Sequence, residues 1–199
     1  VVYTPEKQEL QLKVYDQDLD KYLGGTDSFY GLTDQEVGED PQTRLDELKK
    51  QFAERGFDIV EVPELAKNYD NTENGAGDQD NKPQVFVLVV KHHIETVTPD
   101  DPKTPDDKIP NTNQNYPGGL TETDLSKTIT RTIIVHMPDG STKEIKQEVV
   151  YTRTATVDSV TKEVTYTDWT SKNSNWSEYQ SPDIPGYTVD IEKVELAKV

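Results

Sequence analysis

Two acidic stretches and one histidine pair are where this sequence could do chemistry. Asp16, Asp18 and Asp20 fall at every second position, like the opening of a calcium loop, where carboxylate oxygens surround a hard cation. The pattern then fails: Lys21 stands where the loop needs glycine, and Asp27 occupies the place of the closing bidentate glutamate. Asp70, Thr72, Asn74 and Gly75 match part of the same pattern, with Asn81 in place of its glutamate. The first stretch reads as an acidic turn and the second as a solvated loop. Asp16, Asp18, Asp20, Asp70, Thr72 and Asn74 are thus the candidate metal ligands, with calcium as the ion; no cofactor is required. His92 and His93 are adjacent on a strand, so their rings face opposite sides and cannot easily share one ion. His136 stands apart beside a turn. There is no GxSxG, HExxH, phosphate loop or cysteine nucleophile, and no carboxylate pair comes with a base or an apolar pocket. The expectation is that this is not an enzyme.

The elements that carry these residues differ between the two halves. Leu10, Leu12 and Val14 alternate with Gln11, Lys13 and Tyr15 as a strand, and Gly24-Gly25 breaks the chain after it. Thr33 to Glu36 has the spacing of a capping box and predicts a short helical turn. A longer helix follows, with Asp40 as N-cap, Pro41 at its first position, Gly56 past its end and Leu45, Leu48 and Phe52 as its apolar stripe. Phe57 to Val62 reads as the returning strand, residues 67–83 as a polar loop, and Gln84 to Val97 as a strand whose VFVLVV core is central in its sheet. This order is compatible with a small β-grasp-like α+β fold. Residues 99–120 hold five of the chain's twelve prolines and, with Thr98 just before them, the tandem TPDDPKTPDD, and read as a Pro/Asp-rich linker.

From Lys127 to Trp169 the period is two. Ile129, Ile133 and Val135 alternate with threonines, Pro138-Asp139-Gly140 turns the chain, and Ile145, Val149, Tyr151, Ala155 and Val157 continue one face. A second turn near Asp158-Ser159 leads to Val164 and Tyr166. Arg131, Arg153 and Asp168 fall on the apolar phase, either at the sheet margin with wet heads or as one Arg-Asp-Arg cluster across strands. Residues 170–181 read as irregular, and Tyr187 to Leu196 as the last strand. Gly186-Tyr187-Thr188-Val189 echoes Gly56-Phe57-Asp58-Ile59, which suggests that both halves end alike.

The string TITRTIIVHMPDGSTKEIKQEVVYTRTATVDSVTKEVTYTDW, with Trp176 and SPDIPGY at 181–187 after it, closely resembles the second half of the mucus-binding (Mub) repeat of Lactobacillus surface adhesins. GFDIVEV at 56–62 and QVFVLVVKHHIETVTPDDP at 84–102 resemble the mucin-binding-type module that precedes it. One departure is Thr161-Lys162, where the family commonly has Thr-Gly, and it affects a turn. The resemblance implies an α+β, β-rich chain of two tandem β-grasp (ubiquitin-like) modules in an elongated arrangement. The first is residues 1–98, the second, B2-like, is 121–199, and the linker 99–120 joins them. It also implies a multivalent repeat of an extracellular, cell-wall-attached adhesin whose partners are host mucin glycoproteins and their glycans. The residues expected to hold sugars are the aromatics Trp169, Trp176, Tyr179 and Tyr187, on which apolar sugar faces stack, with Asp168 as a hydroxyl acceptor. The alternatives are an immunoglobulin- or protein-binding module working through its β-grasp surface or a strand edge, and a spacer repeat.

Composition bounds the partners. The formal charge is −17, with 12 basic against 25 acidic residues in 1–110. Nucleic acid is therefore an unsuitable partner, because phosphate neutralisation needs clustered Lys and Arg. Long-range steering would likewise oppose sialylated or sulfated glycans, so binding to mucin must rest on local contacts and avidity. The chain has no cysteine, no apolar run of about 18 residues and no opening signal peptide, so membrane insertion is not expected. If exported, it is a monomeric piece of a longer multi-repeat protein, with signal and anchor outside it.

Overall fold

Alternation in the first strand sets up the first core. In β1 (Lys7–Asp16) every second residue from Gln8 to Asp16 is buried, and Leu10, Leu12 and Val14 point to one side. β2 (Lys21–Leu32) pairs antiparallel with β1, and β4 (Gln84–His92) pairs parallel with it on the other side. β3 (Phe57–Glu61) closes the sheet antiparallel to β4, giving the order β2-β1-β4-β3. Between β2 and β3 runs α1 (Asp40–Glu54), whose buried Leu45, Leu48 and Phe52 meet Leu10, Leu12, Val14, Leu88, Val90 and Phe57 in one core. Each such side chain contributes roughly 1.5–3 kcal/mol by leaving water. The N-cap of α1 is Glu39 rather than Asp40, with Pro41 inside the first turn as expected.

Two readings of this half need correction. β2 is a full twelve-residue strand where the glycines suggested only a break; as an edge strand it has one neighbour and little to bury, so it carries a weak apolar signal. Gly31 within it lies under the Tyr69 ring, and a Cβ there would stand 2.2 Å from Tyr69 Cε2. Thr33 to Glu36 forms no helical turn. Asp34 takes φ +61°, the Gln35 side chain accepts from the Leu32 N–H at 2.8 Å, and Glu36 bridges Asn68.

The computed structural model describes residues 1–70 and 83–199 and contains two compact units. The first comprises Val1–Glu95, Asp106–Tyr116 and Asp158–Glu163; the second comprises Thr96–Pro105, Pro117–Val157 and Val164–Val199. Residues 99–120, read above as a linker, are thus shared between the two. They include the buried side chains Ile109, Tyr116 and Leu120.

The second unit is built from ladders. β5 (Ile94–Val97) precedes α2 (Glu122–Leu125), a single turn closed by a capping box between Thr121 and Asp124. β6 (Ser126–His136) and β7 (Thr142–Thr152) form a hairpin with Ile129 opposite Val149 and Ile133 opposite Ile145. Its turn follows the sequence: Gly140 takes φ +85° and the Met137 N–H bonds the Ser141 carbonyl at 2.8 Å. β8 (Ala155–Asp158) and β9 (Val164–Tyr166) pair antiparallel, in a three-stranded sheet of order β5-β8-β9. The long second strand expected from alternation is therefore broken at Arg153-Thr154. Val97, Leu120, Leu125, Val149, Ala155 and Val157 are its buried apolar residues.

The segment expected to be irregular holds β10 (Asn175–Trp176) and β11 (Tyr179–Gln180). They pair with β13 (Ala197–Lys198) and β12 (Lys193–Val194) respectively. The single last strand from Tyr187 to Leu196 is not formed. The echo between the halves fails with it: Gly56 and Gly186 both take positive φ, yet Phe57 is buried in β3 while Tyr187 is 63% exposed in a loop. Both units are β-rich with few helices, an α+β fold. Among the described residues no helix is long and apolar enough to cross a membrane.

Candidate functional site

The two adjacent histidines end in separate carboxylate clamps. His92 leaves β4 into the first core, 5.4 Å edge-on to the Phe57 ring. Its Nδ1 lies 2.6 Å from Asp158 Oδ2 and its Nε2 lies 3.0 Å from Asp16 Oδ2. His93 points the other way, with Nδ1 2.9 Å from Asp58 Oδ1 and Nε2 2.8 Å from Glu95 Oε1. An ionised carboxylate only accepts, so with both flanking carboxyls ionised a ring bonded at both nitrogens carries both protons. Burial alone would lower each imidazole, but hydrogen bonds and charge from the flanking carboxylates outweigh it and raise both above the ordinary histidine value. Burial would raise the Asp158 carboxyl. The His92 bond and the N–H groups of Thr161 and Val160 overcome this and hold it below the usual range. An imidazolium held in this way has no lone pair for base catalysis or for a metal.

The acidic turn after β1 serves the same clamp. Asp16 Oδ1 accepts the Asp18 N–H at 2.9 Å, Asp18 Oδ2 accepts the His92 N–H at 2.6 Å, and Asp20 accepts the Tyr15 hydroxyl. Asp16, Asp18 and His92 offer ligand atoms within 4.8 Å of one another. The structure engages these atoms with proton donors inside the protein. Asp70 is half-buried, and its N–H donates to the Gln84 side chain at 3.2 Å. Thr72 and Asn74 lie outside the described residues.

In the second unit the aromatics expected to hold sugars stand in different settings. Trp169 is half-buried, with Lys127 Nζ and Arg153 Cζ each 4.5 Å from its ring centroid. Arg153 also lies 3.7 Å from the Tyr166 centroid and donates to the Asp124 carbonyl at 2.9 Å. Arg131 is bound to Gln147 Oε1 at 2.7 Å and to the Ser177 carbonyl at 2.6 Å, with Trp176 5.6 Å away. Asp168 is exposed and bonds neither arginine, so among the described residues the Arg-Asp-Arg cluster does not form. Aromatic rings and backbone carbonyls take the arginines instead. Tyr179 is half-buried on β11 opposite Val194. Tyr187 is the most exposed of the set and lines a cleft of about 310 Å³ with His136, Pro138, Asp183, Thr188 and Asp190. Periodicity could not reveal this cleft, because it brings a hairpin tip against a loop about fifty residues on.

Comparisons with known proteins follow this division. Residues 120–199 match the family described as the Muc B2-like domain. Over 96% of its length the chain shares the fold of Mub-RV, at 19% identity, a TM-score of 0.64 and 90% of that chain covered. It also aligns with a type 2 repeat of the mucus binding protein MUB from Lactobacillus reuteri, at 21% identity and a TM-score of 0.47, covering 96% of this chain and 91% of that one. No curated protein matches it. Residues 120–199 are thus similar to the Muc B2-like domain, and the chain as a whole shares the fold of Mub-RV.

Proposed function

We propose that this chain is a repeat unit of a bacterial cell-surface adhesin that binds host mucus through mucin glycans. The observation that carries this reading is the Muc B2-like match over residues 120–199, the same part that presents aromatic rings beside uncommitted carboxylates. Asp168, Trp169, Trp176, Tyr179 and Tyr187 are the binding residues of this proposal, and no catalysis or cofactor belongs to it. The modules are 1–98 and 121–199, with 99–120 between them. The order β2-β1-β4-β3, with its central parallel pair and one helix, supports a β-grasp first module. The chain acts outside a Gram-positive cell, as part of a wall-attached adhesin. Single sites are weak, and tandem copies raise avidity by about 10²–10⁴ when their spacing lets them engage together.

A second reading is favoured by the side of β2 that has no strand partner among the described residues, with Tyr22 and Tyr30 each more than half exposed. Such an edge suits strand addition by a protein partner such as immunoglobulin. Surface plasmon resonance of the chain on immobilised mucin, before and after periodate oxidation of its sugars, separates the two. Loss of binding after oxidation supports the glycan reading; persistence supports protein contact.

A further inference from the structure

The cleft around Tyr187 has parts that the mucus-binding reading does not itself locate. Its walls are the tip of the β6–β7 hairpin and the loop from Ser181 to Asp190. Both walls are held from within. Asp139 Oδ1 accepts the N–H and the hydroxyl of Ser141 at 2.9 and 2.6 Å, which locks the hairpin turn. The loop is tied at its base by the Ser181 N–H to the Glu192 carbonyl at 2.9 Å and the Ser181 hydroxyl to the Ile191 carbonyl at 2.6 Å. At its far end the Tyr187 N–H bonds the Ile184 carbonyl at 3.1 Å across a turn in which Gly186 takes φ +85°. Each wall is therefore ordered from within before any ligand arrives, which lowers the ordering cost of binding.

Its lining is half apolar and half polar. Met137, Pro138 and Ile184 provide the apolar part, together with the Tyr187 ring. The side chains of His136, Asp183, Thr188 and Asp190 have no hydrogen-bond partner among the described residues. An aromatic face beside several uncommitted acceptors and donors suits a molecule with one apolar face and a rim of hydroxyls. The volume lies at the lower end of the range for small-ligand sites, about 300–1,000 Å³, which limits the occupant to one sugar residue or two. Two carboxylates line it and no lysine or arginine does, so an anionic sugar would meet repulsion.

We propose that this cleft is a saccharide subsite that takes one uncharged sugar residue, stacked on Tyr187 and bonded through its hydroxyls by Asp183, Thr188 and Asp190. The inference rests on the glycan-binding reading and adds the position and charge class of the sugar. The test is an NMR titration of the whole chain with galactose, N-acetylgalactosamine, fucose and N-acetylneuraminic acid, repeated on Tyr187→Ala, Tyr187→Phe and Asp190→Asn. An aromatic contact of this kind contributes about 0.5–1.5 kcal/mol beyond its buried area, so Tyr187→Ala should weaken a neutral sugar about three- to tenfold. Tyr187→Phe should keep most of the binding, Asp190→Asn should weaken it, and N-acetylneuraminic acid should not bind. Tyr187 is exposed, so the variants keep the wild-type spectrum and a loss is not unfolding. Neutral-sugar binding unchanged in Tyr187→Ala, or a preference for N-acetylneuraminic acid, overturns the subsite. Mucin binding by the wild type without any response at the cleft also overturns it while leaving the adhesin reading intact. Absence of mucin binding altogether removes that reading and this one with it.

Discussion

Replacing His92 by glutamine tests the clamp on which the first unit is closed. In the native chain the ring sits between Asp16, which is fully buried, and Asp158, which keeps about a fifth of its side chain exposed. Removing one partner of a buried charge pair costs about 3–5 kcal/mol, because the other charge is left uncompensated. Asp158 retains bonds from the Val160 and Thr161 N–H groups at 2.8 and 3.0 Å, so the stranded charge is Asp16. The expected loss is therefore at the lower end, about 3 kcal/mol, or a fall of about 1–3 M in the urea midpoint of this unit. The sign of the pH dependence follows from the raised imidazoles. An unfolded histidine titrates near 6.5, so the clamp's contribution is complete below about pH 6.5 and is lost as pH rises through the higher folded value. The native midpoint should fall between pH 6 and pH 9, and His92→Gln should flatten that slope to the share left to His93. Both tryptophans lie in the second unit, so NMR signals of the first unit, including the His92 ring protons beside Phe57, are the proper probe. A midpoint that does not change with pH, or an unchanged slope in His92→Gln, would refute the doubly protonated clamp.

Other outcomes follow from single contacts. Arg153→Ala removes the cation between Tyr166 and Trp169 and strands the Asp124 carbonyl, and should destabilise the second unit by about 1–3 kcal/mol in a tryptophan-fluorescence urea melt. Gly56→Ala must take φ +98° and bring its Cβ to 2.9 Å from the Ser159 carbonyl oxygen, so the first unit should lose more than about 1 kcal/mol by urea denaturation. Leu10→Ala, at the centre of the first core, should cost about 2–5 kcal/mol in the same measurement. Tyr187→Ala should leave both melts within about 0.5 kcal/mol of wild type, since its ring is exposed.

Much of this fold was legible where one face is buried and one is wet. Leu10, Leu12 and Val14, the stripe of Leu45, Leu48 and Phe52, and the hairpin around Gly140 all obey the periods that burial imposes. What was not legible lies at edges and in long-range pairings. β2 has glycines and exposed tyrosines because its outer side pairs with no strand among the described residues. Residues 187–192 alternate like a strand but have no ladder partner among the described residues, so the pattern alone could not make one. The opposed directions of His92, the last residue of β4, and His93 just after it follow from their adjacency in extended chain. Their partners do not, because Asp158 reaches His92 from 66 residues away. The arginines on the apolar phase looked like a charge cluster, yet rings and carbonyls brought close by β10 and the turn before β6 satisfy them. Of the sugar-binding candidates, Tyr187 lines a cleft, and that depends on a loop meeting a hairpin tip.

The most direct test of the account is amide chemical-shift mapping of the whole chain during titration with neutral mucin-type O-glycans. The account predicts shifts grouped on the second unit at His136, Asp183, Tyr187, Thr188 and Asp190, with the first unit unchanged. Shifts confined to the β2 or β3 edge of the first unit, or none while mucin binding persists after periodate, would contradict it.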